Sequence, residues 1–435
     1  MLPRLPEVGR RRAAQTFRSL RTPNFRRYVA AQLASTTGLA MQQVGQAWLV
    51  LELTGSGVSL GATVALQFLP LMVLGPWAGF LADRSDKRRL LLATQGAAGA
   101  LALVLWALTA TGVVTVTLVY LLALATGLTQ ALDLPARHAF VIEMVGPTDV
   151  ANAVALNSAT FNAGRLLGPA AAGLLIAAVG TAACFLLNAV SYLPVLAALA
   201  RMDTEALHRQ APAPRAAGAV RAGLRHVWAT PELRLPLAMV AVVGTLGFNF
   251  VVVLPLLARQ TLGGGPALYG SLTALVGLGS LVGALGAASR ARPTTTVLLG
   301  AATAFGVLMV AAAAARHPLV LGALLVGVGL SVMVFLSTAN ASLQLASEPA
   351  MRGRVMALYA LVFLGSTPVG GPLVGWISER WGPPAGLATG GVASLGAVAV
   401  AVLRNRRRLG TPRRFRTPRP APEPEPAPPE VAPGP

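Results

Sequence analysis

At 435 residues, 54% hydrophobic and only 11% charged, with a mean hydropathy of +0.65, the chain holds more apolar side chains than a water-soluble core of ordinary proportions buries, so lipid must cover them. Its net charge of +20 could suit nucleic acid, yet of 35 Lys and Arg all but Arg165, Arg259, Arg316 and Arg380 fall on segments that a spanning topology places on one side. The basicity is therefore topological: both termini are expected in the cytoplasm and no nucleic-acid partner is expected. Cys184 is the single cysteine, which excludes an intrachain disulfide.

About 20 apolar residues in helical form cross a hydrocarbon core of about 30 Å. Twelve such runs follow one another, at 28–53, 59–82, 89–110, 114–134, 150–178, 181–200, 234–258, 266–289, 294–315, 318–340, 354–378 and 385–403. Ahead of them, residues 1–27 interleave seven arginines from Arg10 to Arg27 with Phe17 and Leu20, the pattern of a helix on an anionic lipid surface. The first run is too long for a signal-peptide core and no small-residue cleavage pattern follows it, so it is expected to stay in the membrane. It breaks the apolar rule with Gln32, Ser35, Gln42 and Gln46, whose spacings of three, seven and four put them on roughly one helical face. Interhelical hydrogen bonds and the wall of a water-filled cavity both account for such a stripe.

Between the second and third runs lies the charged turn 79–89, Gly-Phe-Leu-Ala-Asp-Arg-Ser-Asp-Lys-Arg-Arg, tight enough to hold its two helices antiparallel. Gly79, Leu81, Ala82, Asp83, Arg84, Lys87, Arg88 and Leu91 resemble the signature of the major facilitator superfamily, although Asp86 stands where that family usually carries glycine. The resemblance implies a conformational latch of Gly79, Asp83, Arg84, Lys87, Arg88 and Asp133, in which Lys87 pairs with Asp133 and the basic ends of the two halves are held shut. Asp83 is expected against the start of the eleventh helix near Arg354, where the helix dipole and free N–H groups favour an anion.

The fourth run ends at Asp133, Pro135 and Arg137; residues 136–143 are expected as a loop, and Asp149 as the cap of the fifth helix. Within the fifth run, Gly164, Gly168, Pro169 and Gly173 resemble the helix-packing motif of exporters in the superfamily, with Ala172 in place of its penultimate glycine. Residues 133–173 as a whole resemble the enterobactin-exporter and macrolide-efflux branch. Independently of any family, Pro147, Leu156 and Gly168-Pro169 recur as Pro349, Leu358 and Gly371-Pro372, 202 or 203 residues later, so the chain divides into two related halves.

The expected fold is an all-α membrane protein with twelve transmembrane helices in two six-helix, pseudo-symmetric bundles around a central cavity. The basic segment 1–27 precedes bundles at 28–200 and 234–403, and a tail at 404–435 is basic, then Pro-rich and disordered. The linker 201–233 is expected to carry an interfacial helix, with Val220, Leu224, Val227 and Trp228 opposite Arg221 and Arg225. The second half's counterpart of the charged turn, 283–292, lacks the acidic residue.

The resemblance implies a secondary active transporter of the cell (inner) membrane that exports an amphiphilic, drug-like or siderophore-like molecule by alternating access, as a proton antiporter. An importer of the same fold and a non-transporting membrane sensor are the alternatives. Arg165, about 22 Å along its helix from Val150, lies too deep to face lipid at low cost. It is expected to turn into the cavity with Asn162, to meet the amides of Gln42 and Gln46 at a matching level, and Asn249 is assigned to the same substrate cavity from the second half. A fixed cation beside amides suits substrates rich in carbonyl, phenolate or catecholate oxygens. Proton coupling falls to the few carboxylates near the membrane, Glu52 and Asp133. There is no phosphate-cradling loop, and His138, His208, His226 and His317 are scattered, so neither an enzyme, a metal nor a cofactor is expected. The expected partners are a small-molecule substrate, protons and the bilayer, with the protein acting as a monomer.

Overall fold

The computed structural model describes residues 17–208, 219–288 and 293–405, and among them fourteen α-helices form and no strand does. The first half comprises α1 (Pro23–Thr54), α2 (Gly57–Arg84), α3 (Lys87–Ala110), α4 (Val116–Val145), α5 (Val150–Val179) and α6 (Ala182–Ala200). After a short α7 (Ala219–Ala229), α8 (Pro231–Gly247), α9 (Phe250–Leu256) and a π turn (Leu257–Thr261) make one broken span. The second half continues with α10 (Pro266–Ala288), α11 (Thr295–Ala314), α12 (Pro318–Ala346), α13 (Pro349–Trp381) and α14 (Pro383–Asn405). Eleven spans are long and apolar enough to cross a membrane. The twelfth crossing is α1, whose glutamines lower its hydropathy but whose 32 residues pack against α5 and α6. The protein is an all-α, multi-pass membrane protein of two six-helix bundles.

Several boundaries differ from the sequence expectation, each for a local reason. Helix α1 begins at Pro23, which needs no N–H partner in a first turn, and residues 18–21 form a 3-10 turn ahead of it. That turn is docked onto α5: Arg18 pairs with Asp149, and the Ser19 hydroxyl donates to Asn152 at 2.6 Å. Asp149, so engaged, makes no cap bond of its own; of the surface helix expected over residues 1–27, residues 1–16 lie outside the described residues and 17–27 form this turn and the start of α1. The charged turn is shorter than expected: α2 runs to Arg84 and only Ser85 and Asp86 stand outside helices. Asp86 replaces the family's glycine usefully, because its carboxylate caps α3 by accepting from the Arg89 N–H at 3.0 Å. Residues 136–143 are helical, not a loop. Pro135 deletes one backbone bond inside α4, but Ala136, Phe140 and Met144 are fully buried on one face and hold the helix on to Val145. In the linker, helix α7 forms, with Val227 packed on Leu233, Leu343 and Val355 of the second half while Trp228 stays exposed. The tail beyond 405 and residues 209–218 lie outside the described residues.

The halves meet along two seams, α2 against α13 and α5 against α10. The approach there is backbone to backbone. A Cβ on Gly61 would lie 2.4 Å from the Gly371 oxygen, one on Gly375 2.1 Å from the Gly57 oxygen, and one on Gly173 2.9 Å from the Gly270 Cα. All these contacts fall toward the end carrying the α1–α2 and α5–α6 connections, the far end. At the opposite, basic end the seams part: Cβ atoms added to Gly75, Gly79 or Gly353 would meet nothing within 4 Å. The apolar core repeats this division. One buried cluster draws on both halves at the far end, including Trp48, Leu51, Val253, Leu256 and Tyr269. At the basic end the first half has its own cluster around Phe25, Phe140 and Leu199, and the second half a separate one around Val227, Leu237 and Leu343. The central cavity is therefore sealed at the far end and open at the basic end.

Two glycine substitutions separate the seam from the interior of a bundle. Within the second half a Cβ on Gly279 would lie 1.9 Å from the Val326 oxygen, with no rigid-body movement to relieve it. Gly279→Leu is expected to lower stability by about 1–3 kcal/mol or more, read as an earlier melt of the detergent-purified protein. Gly61→Leu, relieved when the halves part, is expected to melt near wild type while exposing the far-end plug to a water-soluble thiol reagent at a Tyr269→Cys reporter.

Candidate functional site

The wall of the cavity is legible along α5. Val154, Ser158, Phe161 and Arg165 recur at spacings of four and three and are exposed, whereas Ala172 and Ile176 on the same face farther out are buried in the shared cluster. A face that changes from exposed to buried with depth borders a cavity closed at one end. Arg165 stands near the middle of the 30-residue α5, in this opening, with its guanidinium carbon 6.0 Å from the Phe161 ring centre. The opposite faces of α5 are taken: Gly164 and Gly168 admit Thr36, Thr37 and Ala40 of α1, and Gly173 admits α10. The glycines and Pro169 thus fix how α5 sits between α1 and the second half.

The amides expected beside Arg165 are differently engaged. Gln42 accepts a hydrogen bond from Asn188 of α6 at 2.6 Å inside its own bundle, and Gln46 is buried at 6% exposure. Asn162 donates to the Ser158 carbonyl at 3.0 Å on its own helix and is partly exposed. Asn249 occupies the break between α8 and α9, donating to the Thr245 carbonyl at 2.8 Å, buried beneath Gly370 of α13. On the second half three half-buried rings pack together: Tyr359 and Phe363 of α13 stack at 6.1 Å with a 4° tilt, and Phe248 meets Phe363 edge-on.

The ion pairs are also redistributed. Lys87 does not reach Asp133; it pairs with Glu143 at 2.8 Å, both side chains buried. Glu143 escaped the sequence reading because it was placed in a loop, whereas the continued α4 turns it toward the start of α3. Asp133 instead holds Arg137 one turn along α4 and accepts from Gln95 at 2.7 Å and Thr94 at 3.0 Å on α3. Arg88 donates to the carbonyls of Leu199 at 2.6 Å and Ala200 at 2.8 Å, a cation closing the C-terminus of α6. Arg84 lies over the Phe80 ring at 4.0 Å. Asp83 is exposed and makes no ion pair among the described residues, while Arg354 of α13 turns to the Met351 sulfur at 3.3 Å. A surface cavity of about 240 Å³ lies beside the turn, floored by Phe140 and Glu143.

At the far end Glu52 accepts from the Trp48 indole at 2.7 Å, and Trp48 stacks on Tyr269 across the two halves at 6.2 Å. Arg259 of the π turn donates to the Leu51 carbonyl at 3.1 Å, so a cation from the second half caps α1 of the first. No sequence pattern pointed to this closure. Its one signal was Arg259 itself, among the few basic residues off the basic side.

Two bundles joined along two glycine-lined seams around a cavity open at one end define a transporter of the major facilitator superfamily. The family described as transmembrane secretion effector matches residues 14–425, and the chain belongs to it. It is 27% identical over 402 residues to the enterobactin exporter EntS of Shigella flexneri, covering 89% of this chain and 93% of that one. It is 28% identical over 374 residues to the multidrug efflux pump Tap of Mycolicibacterium fortuitum, covering 81% and 88%. A match of 30% identity to the staphyloferrin A transporter of Staphylococcus aureus spans 151 residues, 34% of this chain and 38% of that one. Among solved structures, the fold superposes with a TM-score of 0.69 on an inward-facing, occupied bacterial homolog of the lysosomal transporter Spinster, at 12% identity over 89% of this chain and 97% of that one. The D-xylose-proton symporter gives the same score at 13% identity, covering 87% and 97%. The chain is a transporter of the siderophore and efflux branch, not an enzyme.

The Asp133–Arg137 pair is buried inside the first bundle, so removing one partner strands a charge. Asp133→Asn is expected to cost about 3–5 kcal/mol of stability. The Asp133→Asn, Arg137→Met double variant is expected to recover most of that loss, measured by thermal melting of the purified proteins.

Proposed function

We propose that the protein exports an amphiphilic small molecule across the cytoplasmic membrane by alternating access, driven by protons in antiport. The observation that carries this reading is the cavity open at the basic end, with Arg165 standing in it. The positive-inside bias assigns that end to the cytoplasm and both termini with it, so the opening faces the side from which an exporter loads. The printed names of the relatives, an exporter and an efflux pump, point the same way. The chain works as a monomer, since both seams and the cavity belong to one chain.

In the alternate state the far-end contacts part and the basic ends close. Asp83 and the cavity beside it then receive the start of α13, where Arg354 and the helix N-terminus await an anion. Lys87–Glu143 and Arg88 hold the turn rigid so that Asp83 keeps its position. Of the two coupling carboxylates, Asp133 lies inside the bundle among donors, while Glu52 sits at the sealed end bonded to Trp48. The proton is handled at Asp133.

Comparison of compound accumulation in cells with and without the protein, each with and without a protonophore, tests the reading. Lower accumulation that the protonophore reverses is expected. Asp83→Asn is expected to slow export at equal expression, and Glu52→Gln to leave protonophore-sensitive export intact. Unchanged transport in Asp83→Asn would remove the latch, and protonophore-insensitive export would remove the antiport.

A further inference from the structure

We propose that the cavity selects aromatic anions, with Arg165 setting the sign of the charge and Phe161, Phe363 and Tyr359 supplying the stacking faces. This deepens the export reading and rests on it. The charge argument is an inventory. Of the described carboxylates, Asp133 is held by Arg137, and every other one lies within two residues of a helix end or in a connection. Arg165 alone among the described charged residues stands in the middle of a spanning helix without an ion pair. Walled by apolar helices, its field falls off less than it would in water. A cation entering the cavity meets that charge with nothing to offset it, whereas an anion removes the cost of a lone guanidinium at membrane depth.

The shape of the ligand follows from the rings. Phe161 lies one turn from Arg165, is 46% exposed, and carries the Arg165 guanidinium over its ring, 6.0 Å from the ring centre. The repeat that links Pro147 to Pro349 and Leu156 to Leu358, at an offset of 202, carries Phe161 onto Phe363 and Ser158 onto Ala360. The two phenylalanines therefore hold corresponding places on the cavity sides of α5 and α13. Phe363 is backed edge-on by Phe248 and stacked on Tyr359, all three held by their neighbours and all three half-buried. An ordered ring with an open face is a platform for another ring. Two such platforms flanking one cation complement a planar ring bearing carboxylate or phenolate oxygens, bound by bidentate hydrogen bonds at its acidic edge.

Binding of three radiolabelled probes to the purified protein tests this: 2-hydroxybenzoate (aromatic anion), hexanoate (aliphatic anion) and tetraphenylphosphonium (aromatic cation). The aromatic anion is expected to bind most tightly. Arg165→Gln is expected to weaken it about tenfold or more, with Arg165→Lys retaining part of the affinity and Arg165→Glu reversing the preference toward the cation. Phe363→Leu and Tyr359→Leu, which keep apolar volume and lose the ring, are expected to bring 2-hydroxybenzoate down to the level of hexanoate. Tighter binding of the cation by the wild type, or unchanged anion binding in an Arg165→Gln variant that melts like wild type, overturns the proposal. Should Arg165→Gln fail to fold, the Arg165→Lys and Phe363→Leu variants decide it by the same comparison. If cells export only cationic compounds, the anion selectivity fails and export stands; if no compound is exported, export itself fails.

Discussion

The structure depends on how closely two helix backbones can approach where the halves touch. Lipid tails are as apolar as the side chains they surround, so nothing like the hydrophobic effect in water drives one bundle onto the other. What remains is dispersion, which falls away within a fraction of an ångström of added separation. The glycines at 57, 61, 371 and 375 on one seam, and 173 and 270 on the other, bring carbonyl and Cα into direct contact. These contacts lie toward the far end, and on the α5–α10 seam the approach continues to mid-helix, where a Cβ on Gly277 would lie 3.2 Å from the Arg165 oxygen.

Electrostatics is distributed to match. Charges that must be buried are neutralised within a bundle, as Lys87 is by Glu143 and Arg137 by Asp133. The charge left over, Arg165, sits where water reaches it. Arg88 on the carbonyls of α6 and Arg259 on that of Leu51 use cations where the backbone already offers negative partial charge, one inside a half and one between halves.

The spans and the two-fold repeat were legible in the sequence because membrane thickness and a duplicated Pro and Gly-Pro pattern leave marks on the chain itself. The finer errors share a physical cause. Pro135 and the polar residues after Asp133 read as a loop, but burial of Ala136, Phe140 and Met144 outweighed the lost hydrogen bond, and with that Glu143 moved into reach of Lys87. Gln42 was paired by depth with Arg165, yet depth says nothing about direction around the helix, and Asn188, 146 residues away, took it. That Arg165 lies at mid-helix was readable by counting along the apolar run. The stacking of Tyr359 on Phe363 was not, since a tyrosine and phenylalanine four residues apart are ordinary in any apolar helix.

The attachment of the linker carries a mechanical consequence. Just after α6, Asn24 grips Asp203 on both sides and the His208 N–H donates to the Glu143 carbonyl at 2.8 Å, so this stretch moves with the first half. Helix α7, seated by Val227 on α8, α12 and α13, moves with the second. The chain from 208 to 219 joins these two anchors. Even drawn straight it reaches at most about 40 Å, and its first anchor is the carbonyl of the residue that holds Lys87. Separation of the two basic ends is bounded by that length, and any tension near the limit would be delivered to the Lys87–Glu143 pair.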